Sequence, residues 1–351
     1  MKLTLEHSHP LEKCYALTSL QYQGRDHLVV AAEKHNQCLL FDTLGNLVST
    51  IWEGPGGTMS LVPIPGKDGW FLATQEMYSP NDSEQAKIVL VRPGDTGNWT
   101  ITTIAEIPFA HRFDILRTTH GDYLVICTIK SGHDHKDDWS HPGKVLSYKL
   151  PEDWAWVDEK SPISFTVIAD GLYHNHGYWK GEKDGEESCV VGSDNGVFKV
   201  EPPLSPNGSW TVTQLLDEPT SDIAFVDFDG DGKDEMITLS PFHGDTIKIY
   251  SFKDKQYRLC YTYPHSVPFV HSLWAGHLDG KPYAIIGHRQ GDRDMLAFSY
   301  DGGYQVETLL TDVGSTNILQ YDREGKHYLL SANREVNTIA FYRIEVQHES
   351  V

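Results

Sequence analysis

The sequence has no apolar run approaching the ~20 residues that a bilayer crossing needs, and its opening M-K-L-T-L-E-H-S-H-P carries no apolar signal core. A soluble, cytoplasmic protein is expected. Positive charge is scarce. Against 49 Asp and Glu stand 29 Lys and Arg, a formal charge of -20 over 351 residues, which argues against an unaided grip on nucleic acid or an anionic membrane. Cys14, Cys38, Cys127, Cys189 and Cys260 are odd in number and include no C-x-x-C pair. Buried thiols are expected rather than a disulfide or zinc framework. Also missing are a G-x-S-x-G elbow, a phosphate loop, a dinucleotide G-x-G-x-x-G after a strand and an H-E-x-x-H helix. Helical periodicity is sparse.

What the chain does have is repetition. Seven times a short apolar segment runs into a Gly/Asp/Lys turn and a second, strongly apolar segment. Examples are Q-G-R-D-H-L-V-V-A-A from residue 23, D-G-D-G-K-D-E-M-I-T from 229, L-D-G-K-P-Y-A-I-I from 278 and R-E-G-K-H-Y-L-L from 323. A third run ending in aromatic or apolar residues follows, as in T-I-K-I-Y and M-L-A-F-S-Y. Seven units in 351 residues is about 50 each, the length of a four-stranded propeller blade. After T-I-A-F-Y-R-I-E-V too little chain remains for a fourth strand, and K-L-T-L-E-H at the N-terminus is the strand available to close the ring. The expectation is one all-β domain over 1–351, a seven-bladed β-propeller with the N-terminal strand completing the last blade.

The turn D-F-D-G-D-G-K-D-E at 227–235 places five acids in nine positions. Asp227, Asp229, Asp231 and Glu235, with the Lys233 carbonyl, suit one calcium ion. A solvated acidic turn is the other reading. An EF-hand would need its closing Glu where this chain has Thr238. The motif resembles the calcium loops of FG-GAP or VCBS repeats, which implies a structural ion.

In a propeller, first strands start and second strands end on the face opposite such turns, where ligands are usually held. Nine of the 18 histidines map there: His35, His111, His133, His135, His174, His176, His243, His271 and His288. Each alone reads as an ordinary hydrogen-bonded residue; their convergence points to a site. Alternation along a strand would aim His174 and His176 the same way, suggesting a divalent metal (a transition ion or Mg2+) at His174, His176 and His288, or with His111 or His271 as third ligand. Arg112, Arg289 and Arg334 suit a carboxylate or developing enolate. Asp222, Glu335, Asn317, His133, His135, His243 and Tyr78 suit a hydroxyl-rich ligand, while Tyr173, Tyr178, Trp179 and Trp274 suit sugar faces or inter-blade packing. The insertion S-G-H-D-H-K-D-D-W-S-H-P is either a lid or a solvated loop.

These groups fit proton abstraction beside a carbonyl followed by β-elimination. With H-R-F-D at 111–114 and Y-H-N-H-G-Y-W at 173–179, the chain resembles the propeller domain of aldos-2-ulose and 1,5-anhydrofructose dehydratases, and more loosely propeller polysaccharide lyases. That resemblance implies a carbohydrate lyase acting on a keto-sugar or uronic-acid-containing saccharide. The expected roles are His111 or His174 as base, Tyr173 as partner acid, His271 beside them, and Arg112 and Arg289 holding negative charge. A non-catalytic carbohydrate- or protein-binding propeller is the alternative.

Overall fold

The computed structural model describes residues 1–346 apart from 96, 160, 162, 206 and 207. Short strands come in sets of four because each apolar run is stopped by a turn that only a few residues can make. Gln23 and Gly24, at φ of 54° and 68°, and Glu324 and Gly325, at 52° and 70°, both occupy the left-handed region. This is the two-residue hairpin geometry that matches the twist of the flanking strands.

The described residues form seven antiparallel four-stranded sheets. Counted along the chain, the blades begin with the strands Cys14–Tyr22, Leu61–Pro63, Ala110–Thr118, Gly177–Lys183, Asp222–Val226, Val270–Leu278 and Asn317–Arg323. The seventh is completed by the N-terminal strand Lys2–Pro10, which pairs antiparallel with Thr338–Glu345 from Lys2 against Glu345 to Pro10 against Thr338. This closing strand is where the sequence placed it.

Burial follows position within the blade. Second strands such as Glu235–Ser240 and Phe71–Gln75 are buried at every residue, whereas outer strands such as Thr211–Leu216 are largely exposed. The apolar clusters lie between neighbouring blades: Leu28, Val30 and Phe41 of the first pack with Leu330 and Phe341 of the seventh. Cys14, Cys38, Cys127 and Cys189 are buried free thiols; Cys260, on an outer strand, is exposed. No helix among the described residues is long and apolar enough to cross a membrane.

Candidate functional site

Three residues at the ring axis owe their placement to the same local irregularity. The pairing of first and second strands slips between Cys14 and Ala16, between Ala110 and Arg112, and between Val270 and Ser272. Tyr15, His111 and His271 are therefore each the extra residue of a bulge at the start of a first strand, a device that re-aims one side chain. His176, one residue ahead of Gly177–Lys183, joins them.

The imidazoles meet. The His111 and His176 ring centroids are 4.6 Å apart, His176 is 5.3 Å from both His243 and His271, and His243 is 5.6 Å from His271. His176 Nδ1 donates to the Ser221 carbonyl at 3.0 Å, and His271 Nδ1 to the Thr316 carbonyl at 2.7 Å. Each bond fixes the tautomer and leaves the Nε2 lone pair for another partner. His271 Nε2 takes the Tyr15 hydroxyl at 3.2 Å; His176 Nε2 is buried with no partner among the described residues. One nitrogen from each of His176, His243 and His271 lies within 4.8 Å of the other two.

Burial, neighbouring imidazoles and the Arg112 and Arg289 guanidiniums keep this cluster neutral. His176 is lowered to about 3 and His243 to about 2, with burial the largest cause in both, and His111 and His271 fall well below the usual histidine range for the same reason.

The end of the ring where first strands start is not the open mouth that the sequence suggested. His111, His176 and His271 are at most 4% exposed. Phe242 stacks on His243 at 3.8 Å and on His174 at 4.5 Å, Trp139 covers His174 at 4.1 Å, and Phe269 covers His243 at 4.3 Å. The insertion that supplies Trp139 thus behaves as a cover, latched by buried Lys130, whose Nζ donates to the Asp138 carbonyl at 3.0 Å. Phe109, His174, His243 and Phe269, all around this cover, have φ between 48° and 62°. Bulky residues seldom adopt this backbone, and such strain gathers at functional sites.

The open space lies along the axis instead. A cavity of about 360 Å3 is walled by first strands of all seven blades, from Arg112, Asp222 and Asn317 at its inner end to Asp114 and Leu319 further along. The four imidazoles stand beyond that inner end. Arg112 donates to the Met59 carbonyl at 3.2 Å and has no carboxylate partner among the described residues. Asp222 accepts the Ile223 and Tyr178 amides at 3.0 and 3.3 Å, and burial, opposed by Arg112, pushes its carboxyl up to about 6.

Other expected members fall elsewhere. The backbone at His174 has φ 48°, so strand alternation with His176 fails, and its Nδ1 is bonded to Asp194 at 2.5 Å. His288 uses both ring nitrogens, Nδ1 on the Gln290 carbonyl at 2.7 Å and Nε2 on the Asp294 amide at 3.0 Å. His174, His176 and His288 are therefore not brought together as a ligand set; the imidazoles that converge are His176, His243 and His271. Tyr173 is 41% exposed, and the tyrosine on the imidazoles is Tyr15, unmarked by any motif. Arg289 spends its charge on Glu335 at 2.7 Å, and Arg334 bridges Glu33 and Glu335. Tyr78 packs on His35, His133 pairs with Glu84 at 3.1 Å, and His135 is exposed.

The acidic turn lies at the far end of blade five from the histidines, joining Asp222–Val226 to Glu235–Ser240. Asp227, Asp229 and Glu235 bring oxygens within 4.8 Å of one another. Asp231 is outside that set, accepting the Lys233 amide at 2.9 Å with Lys233 Nζ 4.0 Å away. Glu235, 2% exposed, is raised to about 6 by burial first and then by the neighbouring aspartates.

No protein-family model matches the chain, and no curated protein matches it in sequence. Among solved structures it is similar to BBS1N from a crystal structure in complex with ARL6DN, at 11% identity and TM-score 0.58, covering 98% of this chain and 97% of that one. This likeness establishes the propeller fold.

Proposed function

We propose that the protein is a carbon–oxygen lyase that eliminates across a keto-sugar or uronic-acid-containing saccharide held in the axial cavity. The observation that carries this reading is that Arg112 and Asp222 line the same inner end of the cavity, backed by the bulge-placed Tyr15, His111 and His271. Arg112, with N–H groups unspent on any carboxylate among the described residues, holds the substrate carbonyl or carboxylate and the negative charge that develops there. Asp222, with a carboxyl poised near 6, accepts the proton on the adjacent carbon. The electron pair left by that proton forms the double bond as the β carbon–oxygen bond breaks, and the departing oxygen takes up the proton now held by the Asp222 carboxyl.

Three neutral imidazoles with convergent nitrogens suit a divalent transition ion. His176, His243 and His271 would hold it, His271 Nε2 exchanging the Tyr15 hydroxyl for the ion, and a bound ion would supply a Lewis acid. The acidic turn is proposed to hold a structural calcium through Asp227, Asp229 and Glu235.

The test is ultraviolet absorption of the conjugated product during incubation with keto-sugars and uronides. Asp222→Asn and Arg112→Ala should each abolish it, and full turnover in both would overturn the assignment. A second reading comes from BBS1N, whose structure contains a protein partner: a propeller that binds without catalysis. Under that reading no substrate is consumed, and both variants leave ligand stoichiometry unchanged.

A further inference from the structure

Blade two is cut short on the face that bears the turns between first and second strands. Its first strand, Leu61–Pro63, has 3 residues, where those of blades three and six have 9. Pro63 and Pro65 have no amide hydrogen with which to extend the pairing. The missing length leaves a trough continuous with the axial cavity. A second cavity, about 380 Å3, shares Leu61, Val62 and Asp114 with it, and a third, about 490 Å3, shares Pro65 and Ile115 with the second. The outer wall is the segment after blade three's third strand. It is fixed by Arg92, which donates to both Asp158 oxygens at 3.1 and 2.5 Å, and by Trp154 edge-on to Trp70.

Charge along the trough departs from that of the chain, which has a formal net charge of -20. Near the axis Arg117 and Lys180 are matched by Glu187 and Asp114. The outer cavity presents Lys67 and Lys149, both exposed, each 5.8 Å from an aromatic ring and neither paired with a carboxylate among the described residues. Asp122 and Glu152 line the same cavity, so the two ammoniums are separate contact points rather than a blanket basic patch. Unpaired cations at one end of a trough and Arg112 at the other suit a chain that carries negative charge at intervals.

We infer that the substrate is a uronate-containing oligosaccharide laid along blade two, its reacting sugar in the axial cavity and its neighbouring carboxylates on Lys67 and Lys149. This rests on the axial reading above. It is tested by calorimetric binding of galacturonate oligomers from dimer to octamer, with neutral cello-oligomers of the same lengths as controls. Affinity for the acidic series should tighten with length and then level off. Lys67→Ala and Lys149→Ala should each weaken the longer acidic oligomers roughly two- to fivefold, as for an exposed ion pair, and leave the dimer unchanged. Length-independent affinity, equal binding of the neutral series, or wild-type binding by the double lysine variant would overturn the inference. Length dependence that persists while Arg112→Ala keeps full turnover supports the trough and removes the axial chemistry.

Discussion

The Tyr15 hydroxyl donates to His271 Nε2 at 3.2 Å, while His271 Nδ1 donates to the Thr316 carbonyl at 2.7 Å. The chain carbonyl–imidazole–phenol runs from blade seven through blade six to blade one, and both side chains in it are bulge residues. Tyr15→Phe keeps the ring and deletes the hydroxyl, leaving the His271 lone pair buried without a donor. The expected loss of stability is about 1 kcal/mol. If the phenol relays a proton in turnover, the rate should fall by about 10²–10⁴. Thermal melting and the product absorbance, read on the same preparation, check both; a Tyr15→Phe variant with unchanged turnover would restrict Tyr15 to packing.

The two candidate metal sets differ in one testable way. His176, whose Nε2 has no partner among the described residues, belongs to both, whereas His288 has both ring nitrogens committed within its own loop. Elemental analysis of protein purified without chelator should find one divalent transition ion per chain. His176→Asn and His243→Asn should lose it, and His288→Gln should retain it. Metal kept by His243→Asn and lost from His288→Gln would restore the ligand set expected from the sequence.

The architecture was readable because four blades repeat a turn built on two left-handed residues, and because the last unit lacked a strand that Lys2–Pro10 matches in pattern. The convergence of His111, His176, His243 and His271 followed from topology alone. What sequence could not show is where a strand slips by one residue. Tyr15 sits in an unremarkable apolar run, C-Y-A-L-T, and becomes a site residue only through the bulge. The same limit misled the reading of His174, whose backbone turns left-handed before the strand begins. Burial was hidden too. Phe242 and Phe269 carry no sequence signal, the insertion bearing Trp139 was open between lid and solvated loop, and only their stacking on imidazoles shows that this end of the ring is closed.

Keeping His111, His176, His243 and His271 neutral has a consequence for acid stability. Their folded values lie below the 6.5 expected of unfolded histidine, about 3 for His176 and about 2 for His243, so the unfolded chain binds more protons. The contribution to stability is therefore complete above about pH 6.5 and is lost as pH falls towards 3. For metal-free protein the slope below 6.5 approaches about 1.4 kcal/mol per pH unit for each histidine. Chemical denaturation of chelator-treated protein between pH 8 and pH 4 should show the decline beginning near 6.5. His243→Asn should make it shallower; a flat profile over that range would mean the cluster opens to solvent.

At the acidic turn the charge balance would be improved by a bound ion. Glu235 is buried with Asp227 and Asp229 beside it, and the one lysine in the loop reaches only Asp231, at 4.0 Å. Mutual repulsion is offset in part by amides: Gly230 and Gly232 donate to Asp227 at 2.8 and 2.9 Å, and Phe228 donates to Glu235 at 2.7 Å. Calcium would remove the remaining cost and couple the turn to the buried strand that Glu235 begins. At free calcium a hundredfold above its dissociation constant the gain is about 2.7 kcal/mol. Calcium should raise Tm above that in chelator, Asp229→Asn should shrink the difference, and Glu235→Gln should raise Tm in chelator by removing a buried carboxylate. Because the turn and the axial cavity occupy different parts of the fold, turnover well below Tm should be the same with and without calcium. Coincident melting curves in calcium and in chelator would mean that the turn is an acidic loop held by its own amides.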